Sequence, residues 1–368
     1  MSAMKSVLVT GGAGYIGAHC CKALFEAGFN PVCYDNFSTG HRAFVKWGPL
    51  VEGDVCDHDR VASALREHDA IAVIHFAAFS LVGESMSDPQ KYYQNNVVGT
   101  LALLQAMRQA GCGNLVFSST GAVYGNADDK PIREAQAGLP INPYGHSKWM
   151  IEQILRDYRA AYGLKSFSLR YFNACGADPS GLVGEKRDPE THLIPRAMMA
   201  LQGHAADFAI FGSDYPTPDG TAIRDYIHVT DLAAAHILAL KRLLGGGVGG
   251  SFNLGTGNGY SVRQILSAIH AGVGRPVPVL LRDRREGDPA VLVADPTAAF
   301  EALMFRPKFS DLATIVRTAW GWHQKAHPMK GPEVRAHERA PGLSDASGLL
   351  DAPGLVPVLS PVHAALEE

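Results

Sequence analysis

Nowhere in its 368 residues does the chain hold about 18 consecutive apolar side chains, so no membrane-spanning helix is expected. A dominant charge is missing too. The 33 basic and 36 acidic side chains leave a formal charge of −3, which removes the basic footprint of a nucleic-acid binder. An anionic ligand must then be held by local arginines rather than by a global field. Cys-x-x-Cys pairs are absent: Cys20, Cys21, Cys33, Cys56, Cys112 and Cys175 stand apart, mostly in apolar segments. They read as buried free thiols of a cytoplasmic protein, with no disulfide framework and no metal site. The opening MSAMKSVLVTGG has one lysine and an apolar stretch too short for a secretory signal. Internal repeats are lacking as well.

What is present is ordinary globular material, with 46% hydrophobic and 19% charged residues. Short apolar runs recur at Val7–Thr10, Val32–Asp35, Ala72–Phe76, Leu115–Ser118 and Ser166–Tyr171. Between them lie stretches with helical spacing, among them Ile16–Ala27, Val97–Ala110 and Ser147–Tyr162. This alternation predicts an α/β fold of the doubly wound, Rossmann type, with a parallel sheet covered by helices on both faces. After about residue 174 the rhythm breaks and Gly, Pro and Asp become frequent. Helical spacing persists at Leu193–Leu201, Asp231–Leu244 and Val262–Ala271. The expected organisation is a dinucleotide-binding domain over 1–173, to which 227–255 returns. A smaller ligand-binding lobe over 174–226 and 256–327 follows, then a poorly ordered tail over 328–368.

The first strand ends at Thr10 and runs into Gly11-Gly12-Ala13-Gly14-Tyr15-Ile16-Gly17. Gly12, Gly14 and Gly17 form G-x-G-x-x-G between a strand and a helix. One glycine makes the tight turn, one lets backbone N–H groups approach a pyrophosphate, and one allows close helix–strand packing. The helix N-terminus adds partial positive charge for the phosphates. Eighteen residues after Gly17 a second strand ends in Asp35. A carboxylate there accepts hydrogen bonds from an adenosine ribose and repels a 2′-phosphate, so NAD is expected in preference to NADP. Asn36, Asp54-Val55 and Phe76-Ala77-Ala78 follow further strand ends and are expected to line the same ligand.

Tyr144-Gly-His-Ser-Lys148 places a tyrosine and a lysine four residues apart, on one face of a helix. Upstream, a strand ends in Ser118-Ser119-Thr120, where an open α/β sheet presents side chains to its crevice. A free tyrosine titrates near 10, so a base working near neutral pH needs its pKa lowered to about 7. A neighbouring ammonium and a positively charged nicotinamide both favour the phenolate. Thr120 would hold the reacting oxygen by a hydrogen bond.

Thr10-Gly-Gly-x-Gly-x-x-Gly17 with Tyr144-x-x-x-Lys148 resembles the extended short-chain dehydrogenase/reductases. Seven further segments narrow this to the UDP-glucose 4-epimerase family. They are His75-Phe-Ala-Ala, Val82-Gly-Glu-Ser, Tyr92-Tyr-x-Asn-Asn-Val, Leu169-Arg-Tyr-Phe-Asn173, Asp214-Tyr-Pro-Thr-x-Asp-Gly, Arg224-Asp-Tyr-Ile-His-Val and Arg284-Arg-Glu-Gly-Asp288. The resemblance covers about Val7 to His327. It implies interconversion of UDP-glucose and UDP-galactose by transient oxidation at sugar C4. Tyr144 takes the 4-hydroxyl proton, NAD takes the hydride, and the 4-keto sugar is re-reduced on its other face. Thr120 and Lys148 complete the catalytic set. NAD is expected to stay bound between turnovers. The resemblance also implies cofactor contacts at Asn95 and Phe172. Nucleotide-sugar contacts are implied at Asn173, His192, Leu193, Ile210 and Phe211, with a diphosphate and ribose clamp of Arg224, Arg285 and Asp288. It further implies a homodimer formed by helices, for which Val97–Ala110 and Ser147–Tyr162 are candidates.

Departures from the family are visible. Ser80 stands where some members carry a cofactor-contacting lysine, and His192 replaces an asparagine seen in some. Leu292 occupies a position that gates larger N-acetylated sugars. Two rival activities remain: C4 epimerisation of another UDP sugar (an N-acetylhexosamine, pentose or uronic acid), and a non-catalytic nucleotide-binding regulator, against which the intact Thr120, Tyr144 and Lys148 speak. A 4,6-dehydratase would place an Asp-Glu pair after the threonine, and here Gly121 and Ala122 follow.

Overall fold

The computed structural model describes residues 4–126, 131–136, 138–205, 207–285 and 288–328. The expected tail lies, apart from Pro328, outside the described residues. In chain order the first half holds β1 (Ser6–Thr10), α1 (Tyr15–Glu26), β2 (Asn30–Asp35), β3 (Leu50–Glu52), α2 (His58–Glu67) and β4 (Ala72–His75). It continues with α3 (Val82–Ser87), α4 (Pro89–Tyr92), α5 (Gly99–Gln109), β5 (Asn114–Thr120), α6 (Pro143–Tyr162) and β6 (Lys165–Tyr171). The second half holds β7 (Asn173–Cys175), α7 (Leu193–Leu201), β8 (Phe208–Phe211), β9 (Ile223–His228), α8 (Val229–Leu244) and β10 (Gly249–Leu254). It ends with β11 (Gly259–Ser261), α9 (Val262–Val273), β12 (Val279–Arg282), β13 (Val291–Leu292), α10 (Thr297–Ala302) and α11 (Leu312–Ala326).

Seven strands make one parallel sheet in the order β10-β6-β5-β4-β1-β2-β3. Successive side chains of a strand point to opposite faces. Val7 and Val9 therefore join Ile74, Leu24 and Leu240 in one core, while Leu8 joins Val73, Leu65 and Leu104 in another. Both faces are covered by helices, which is why the strand sequences read as continuous apolar runs. Chain order reverses beside β1: β2 and β3 extend one way, β4 and β5 the other. The crevice at the carboxyl ends of β1 and β4 is thus the place where such a sheet binds ligands.

Small sheets follow. β9 pairs with β7, β11 and β13, and β8 pairs with β12. Their core gathers Met198, Phe208, Ile210, Ile265 and Ile315. The seventh strand of the large sheet, β10, returns to pair with β6.

Several boundaries differ from the sequence reading. α6 starts at Pro143, four residues before the expected Ser147, because the Asn142 side chain accepts the Gly145 N–H and Pro143 occupies the first turn. This brings Tyr144 into the helix. Regular α5 starts at Gly99, after a π-helical turn over Tyr93–Val98 that carries Asn95. The strand end expected before Asp54 is that of β3, whose extent was not delimited, and helices α2 and α11 were not anticipated. All six cysteines are free, and five are buried. Among the described residues no helix is long and apolar enough to cross a membrane.

Candidate active site

At the end of β1 the chain turns through Gly11 and Gly12 into α1. A side chain at Gly11 would strike the Ala77 amide nitrogen at 2.7 Å, so the Phe76-Ala77 backbone after β4 lies directly on the turn. A Cβ at Gly17 would sit 2.1 Å from the Gly11 carbonyl oxygen, an impossible approach, so this glycine serves helix–turn packing. Gly14 differs: its Cβ would meet only the Gly11 carbonyl oxygen, at 3.3 Å. Gly14 is the residue that flanks the start of α1, whose first turn carries no side-chain cap and no acidic residue. Unpartnered N–H groups beside an open approach fit a phosphate anion. The turn therefore fits the pyrophosphate of NAD on its own geometry.

Asp35 ends β2, with its carboxylate accepting the Ala13 N–H at 2.9 Å and the Phe37 N–H at 2.8 Å. Burial raises its pKa, against the pull of those two N–H donors. The Asn36 amide donates to Asp54 at 2.9 Å, linking the ends of β2 and β3. Val55 turns its side chain into the core beside Gly99, and Ile16 likewise packs on the core. Tyr15 is nearly buried, and its hydroxyl donates to the Gly176 carbonyl oxygen at 2.6 Å. Phe76 lies against His236, and Ala78 continues the loop beyond Ala77. Asn95 donates to Asn96, which in turn holds Phe79 and Ser147. Phe172 stacks on Tyr124 and covers Gly121.

Tyr144 and Lys148 share one face of α6 and meet the end of β5. Thr120 lies beside the half-buried Tyr144 phenol and pulls its pKa down. Lys148 is 3% exposed, donates to the Ser118 carbonyl oxygen at 2.9 Å, and lies 4.8 Å from the Phe117 ring centre. In the chain alone, burial dominates the ionisation of this pair. Burial raises the Tyr144 pKa, and the groups pulling it down are Thr120 and the Arg187 charge. Burial also lowers Lys148 to about 7, partly offset by Glu152 one turn further on. Desolvation outweighs the neighbouring charge, so the rest of any acidification must come from bound ligand.

The second group of expected residues clusters on the small sheets. Arg224 forms an ion pair with Asp288 and donates to the Ile223 carbonyl oxygen. The Arg285 guanidinium lies 4.0 Å from the Phe211 ring centre. Asn173 donates to the Asp225 carbonyl oxygen at 3.1 Å. Ile210 is only 2% exposed and packs in the small-sheet core, so its side chain is turned away from a ligand. Leu193 starts α7 and packs on the same core. His192 precedes it and donates to Glu185 at 2.5 Å.

Glu185 and Arg187 were missed from the sequence. They sit in a loop without periodicity, and nothing in their spacing marks them. Glu185 and Glu190 with His192 are close enough together to hold a cation. Yet Glu185 is matched by Arg187 and His192, and Glu190 accepts the Thr191 and His192 N–H groups. The cluster is satisfied internally, and no metal is needed to explain it.

Residues 7–255 match the NAD dependent epimerase/dehydratase family. A UDP-glucose 4-epimerase of Rhizobium leguminosarum bv. trifolii is 50% identical over 323 residues, covering 88% of this chain and 98% of that one. The crystal structure of UDP-glucose 4-epimerase from Brucella ovis in complex with NAD superposes with a TM-score of 0.85 at 54% identity, covering 86% and 97%. A UDP-glucose 4-epimerase from Stenotrophomonas maltophila with bound NAD and formylated UDP-arabinopyranose gives 0.85 at 40% identity, covering 88% and 98%. With the glycine turn, the open approach at Gly14 and the Thr120–Tyr144 contact in one crevice, the chain belongs to the NAD dependent epimerase/dehydratase family.

Proposed function

We infer that this chain interconverts UDP-glucose and UDP-galactose with NAD as resident cofactor, and that Tyr144 is the base. One observation carries the reading. Thr120, at the carboxyl end of β5, faces the Tyr144 phenol and favours its ionised form, in the same crevice as the glycine turn. NAD, when bound, supplies a reversible two-electron acceptor and a positively charged ring. Everything else falls to the chain. Gly11, Gly12, Gly14 and the start of α1 bind the pyrophosphate. Asp35 accepts the adenosine ribose hydroxyls and excludes a 2′-phosphate, and Asn36 and Asp54 close the adenine end. Ala77, Ala78, Asn95 and Phe172 border the nicotinamide end. Thr120 positions the sugar 4-hydroxyl and Tyr144 removes and returns its proton. Lys148, anchored on Ser118, lies beneath them.

Arg224, Arg285 and Asp288 grip the UDP moiety. The ion pair and the ring contact they make with one another are exchanged for contacts with the nucleotide. Arginine suits a diphosphate because its planar fork bonds two oxygens at once. Gripping the nucleotide leaves the sugar free to rotate while its keto form stays captive. Leu292, like Phe172 and Trp149, packs on the Val123, Tyr124 and Ile132 cluster, beside the sugar's end of the crevice.

Two copies associate through α5 and α6. Leu101 on α5 with Val98 just before it, and Met150 and Tyr162 on α6, are exposed apolar side chains. A groove of about 790 Å³ beside α5 is lined by Cys56 and His58, by Val98, Leu101 and Arg108, and by Tyr158 of α6. Six unpaired thiols suit the reducing cytoplasm. The test of function is incubation with a panel of UDP sugars and resolution of the products by NMR. UDP-galactose must yield UDP-glucose; no conversion of any UDP sugar, with NAD added, defeats the reading.

A further inference from the structure

Arg187 belongs to none of the residue sets assigned above, yet its surroundings are built with care. It sits in a loop pinned on two sides. The Trp322 indole N–H donates to the Glu185 carbonyl oxygen at 2.7 Å, and Gly184 lies so close to that indole that a Cβ would strike it at 2.3 Å. His41, from the loop after β2, meets the Lys186 carbonyl oxygen at 3.0 Å. The loop thus bridges α11 and the adenine end of the crevice.

The side chain is equally constrained. Arg187 Nε donates to Glu185 Oε1 at 3.0 Å, and the same oxygen accepts from His192. Fixing Nε turns the outer edge of the guanidinium away from the loop. On that edge Nη1 lies 3.5 Å from Ser80 Oγ, and Nη2 has no hydrogen-bond partner among the described residues. Ser80 ends the Phe76–Ser80 segment, whose Ala77 packs on Gly11 of the glycine turn. The charge is felt by Tyr15 on α1, by Tyr171 on β6 and by Tyr144. A half-buried cation with one edge held by a buried carboxylate, and the other edge facing a crevice, is arranged for a bidentate oxyanion.

We propose that Arg187, held by Glu185, binds diphosphate oxygens in the crevice and so fastens the 184–192 loop over the bound ligand. This rests on the reading of the crevice as an NAD and UDP-sugar site. Two diphosphates meet that description, the cofactor's and the substrate's. Because Ser80 leads back to the glycine turn, the cofactor's pyrophosphate lies nearer to hand.

The test uses the full-length protein as purified, with Arg187→Met, Arg187→Lys and the double variant Arg187→Met with Ser80→Lys. Three quantities are read: NAD released on denaturation, the NAD dissociation constant, and the Kd for UDP at saturating NAD. Loss of one charge-assisted bidentate contact weakens binding by about 10- to 100-fold. If the cofactor is the ligand, Arg187→Met loses bound NAD by that factor while UDP binding holds, and both lysine-bearing variants recover part of it. If the substrate is the ligand, NAD is retained and the UDP Kd rises by the same factor, which also upholds a diphosphate role. Unchanged binding of both, with or without a fall in turnover, overturns the proposal. Should Arg187→Met not fold, Arg187→Gln gives the same readings. Wild-type protein is the control for the underlying reading: if it binds neither NAD nor UDP, that reading fails, and not the role of Arg187 alone.

Discussion

The two ends of the crevice are made of different material. The cofactor end is backbone. Its turn, its helix start and the Ala77 amide are set by glycines and by strand register, with Asp35 already bound to two N–H groups. The proposed nucleotide end is side chain. Arg224 and Asp288 hold each other, and Arg285 rests on Phe211, in contacts that a ligand must displace. A backbone site is rigid before its ligand arrives and retains it; a side-chain site reorganises and releases. That difference suits a cofactor that stays through many turnovers and a substrate that leaves after each one.

Experiments that break the comparison run from large effects to small. Tyr144 stands where the two ends meet. Tyr144→Phe is expected to lower turnover by about 10²–10⁴ while NAD stays bound and the fold is kept. Turnover near the wild-type rate would remove Tyr144 as the base.

The rigid end has a weakness in acid. His19 and His236 are held down to about 4 and His75 to about 3, all by burial. Below pH 6.5 the unfolded chain takes up protons that the folded chain refuses. Stability is therefore expected to fall as pH drops from 6.5 towards 4, by roughly 1.4 kcal/mol per pH unit for each such histidine. Thermal melts of the protein at pH 7 and pH 5 measure it; equal melting temperatures contradict it.

Within the glycine turn the comparison can be sharpened at single positions. Gly17→Ala is expected to destabilise the fold by about 3 kcal/mol or more, since the new methyl group collides with the Gly11 carbonyl oxygen. Gly14→Ala is expected to alter stability by only about 0.5 kcal/mol, yet to lose NAD. Denaturant melts and nicotinamide content separate the two. Equal destabilisation by both would mean that Gly14 also serves packing.

At the nucleotide end, Arg224→Met is expected to raise the KM for UDP-galactose by about 10-fold while NAD content is unchanged. A parallel loss of NAD would show that the two ends are not independent.

Most of the rigid end was readable in advance. G-x-G-x-x-G and Tyr144-x-x-x-Lys148 are local spacings, and local spacing survives into structure. The buried strands were readable because sheets covered on both faces need apolar runs. The start of α6 carried a signal that the spacing alone passed over: Asn142-Pro143 is a cap followed by a first-turn proline. β3 is three residues long, too short for any period to show. Glu185 and Arg187 act through contacts with Trp322, Ser80 and His192, set by tertiary packing that no spacing encodes. The protonation states were hardest to read. Side-chain types point to an ammonium and a nicotinamide favouring the phenolate, but they do not show that burial of both groups raises the phenol and lowers the ammonium.

The central claim is that Tyr144 works on a sugar held against NAD in this crevice. A crystal structure of the chain with NAD and UDP-glucose tests it most directly. The account predicts the Tyr144 hydroxyl within about 3 Å of the sugar's 4-oxygen, with the nicotinamide carbon about 3–3.5 Å from sugar C4. A nicotinamide seated on the glycine turn but with its ring far from Tyr144, and the sugar's 4-oxygen bonded elsewhere, would contradict it.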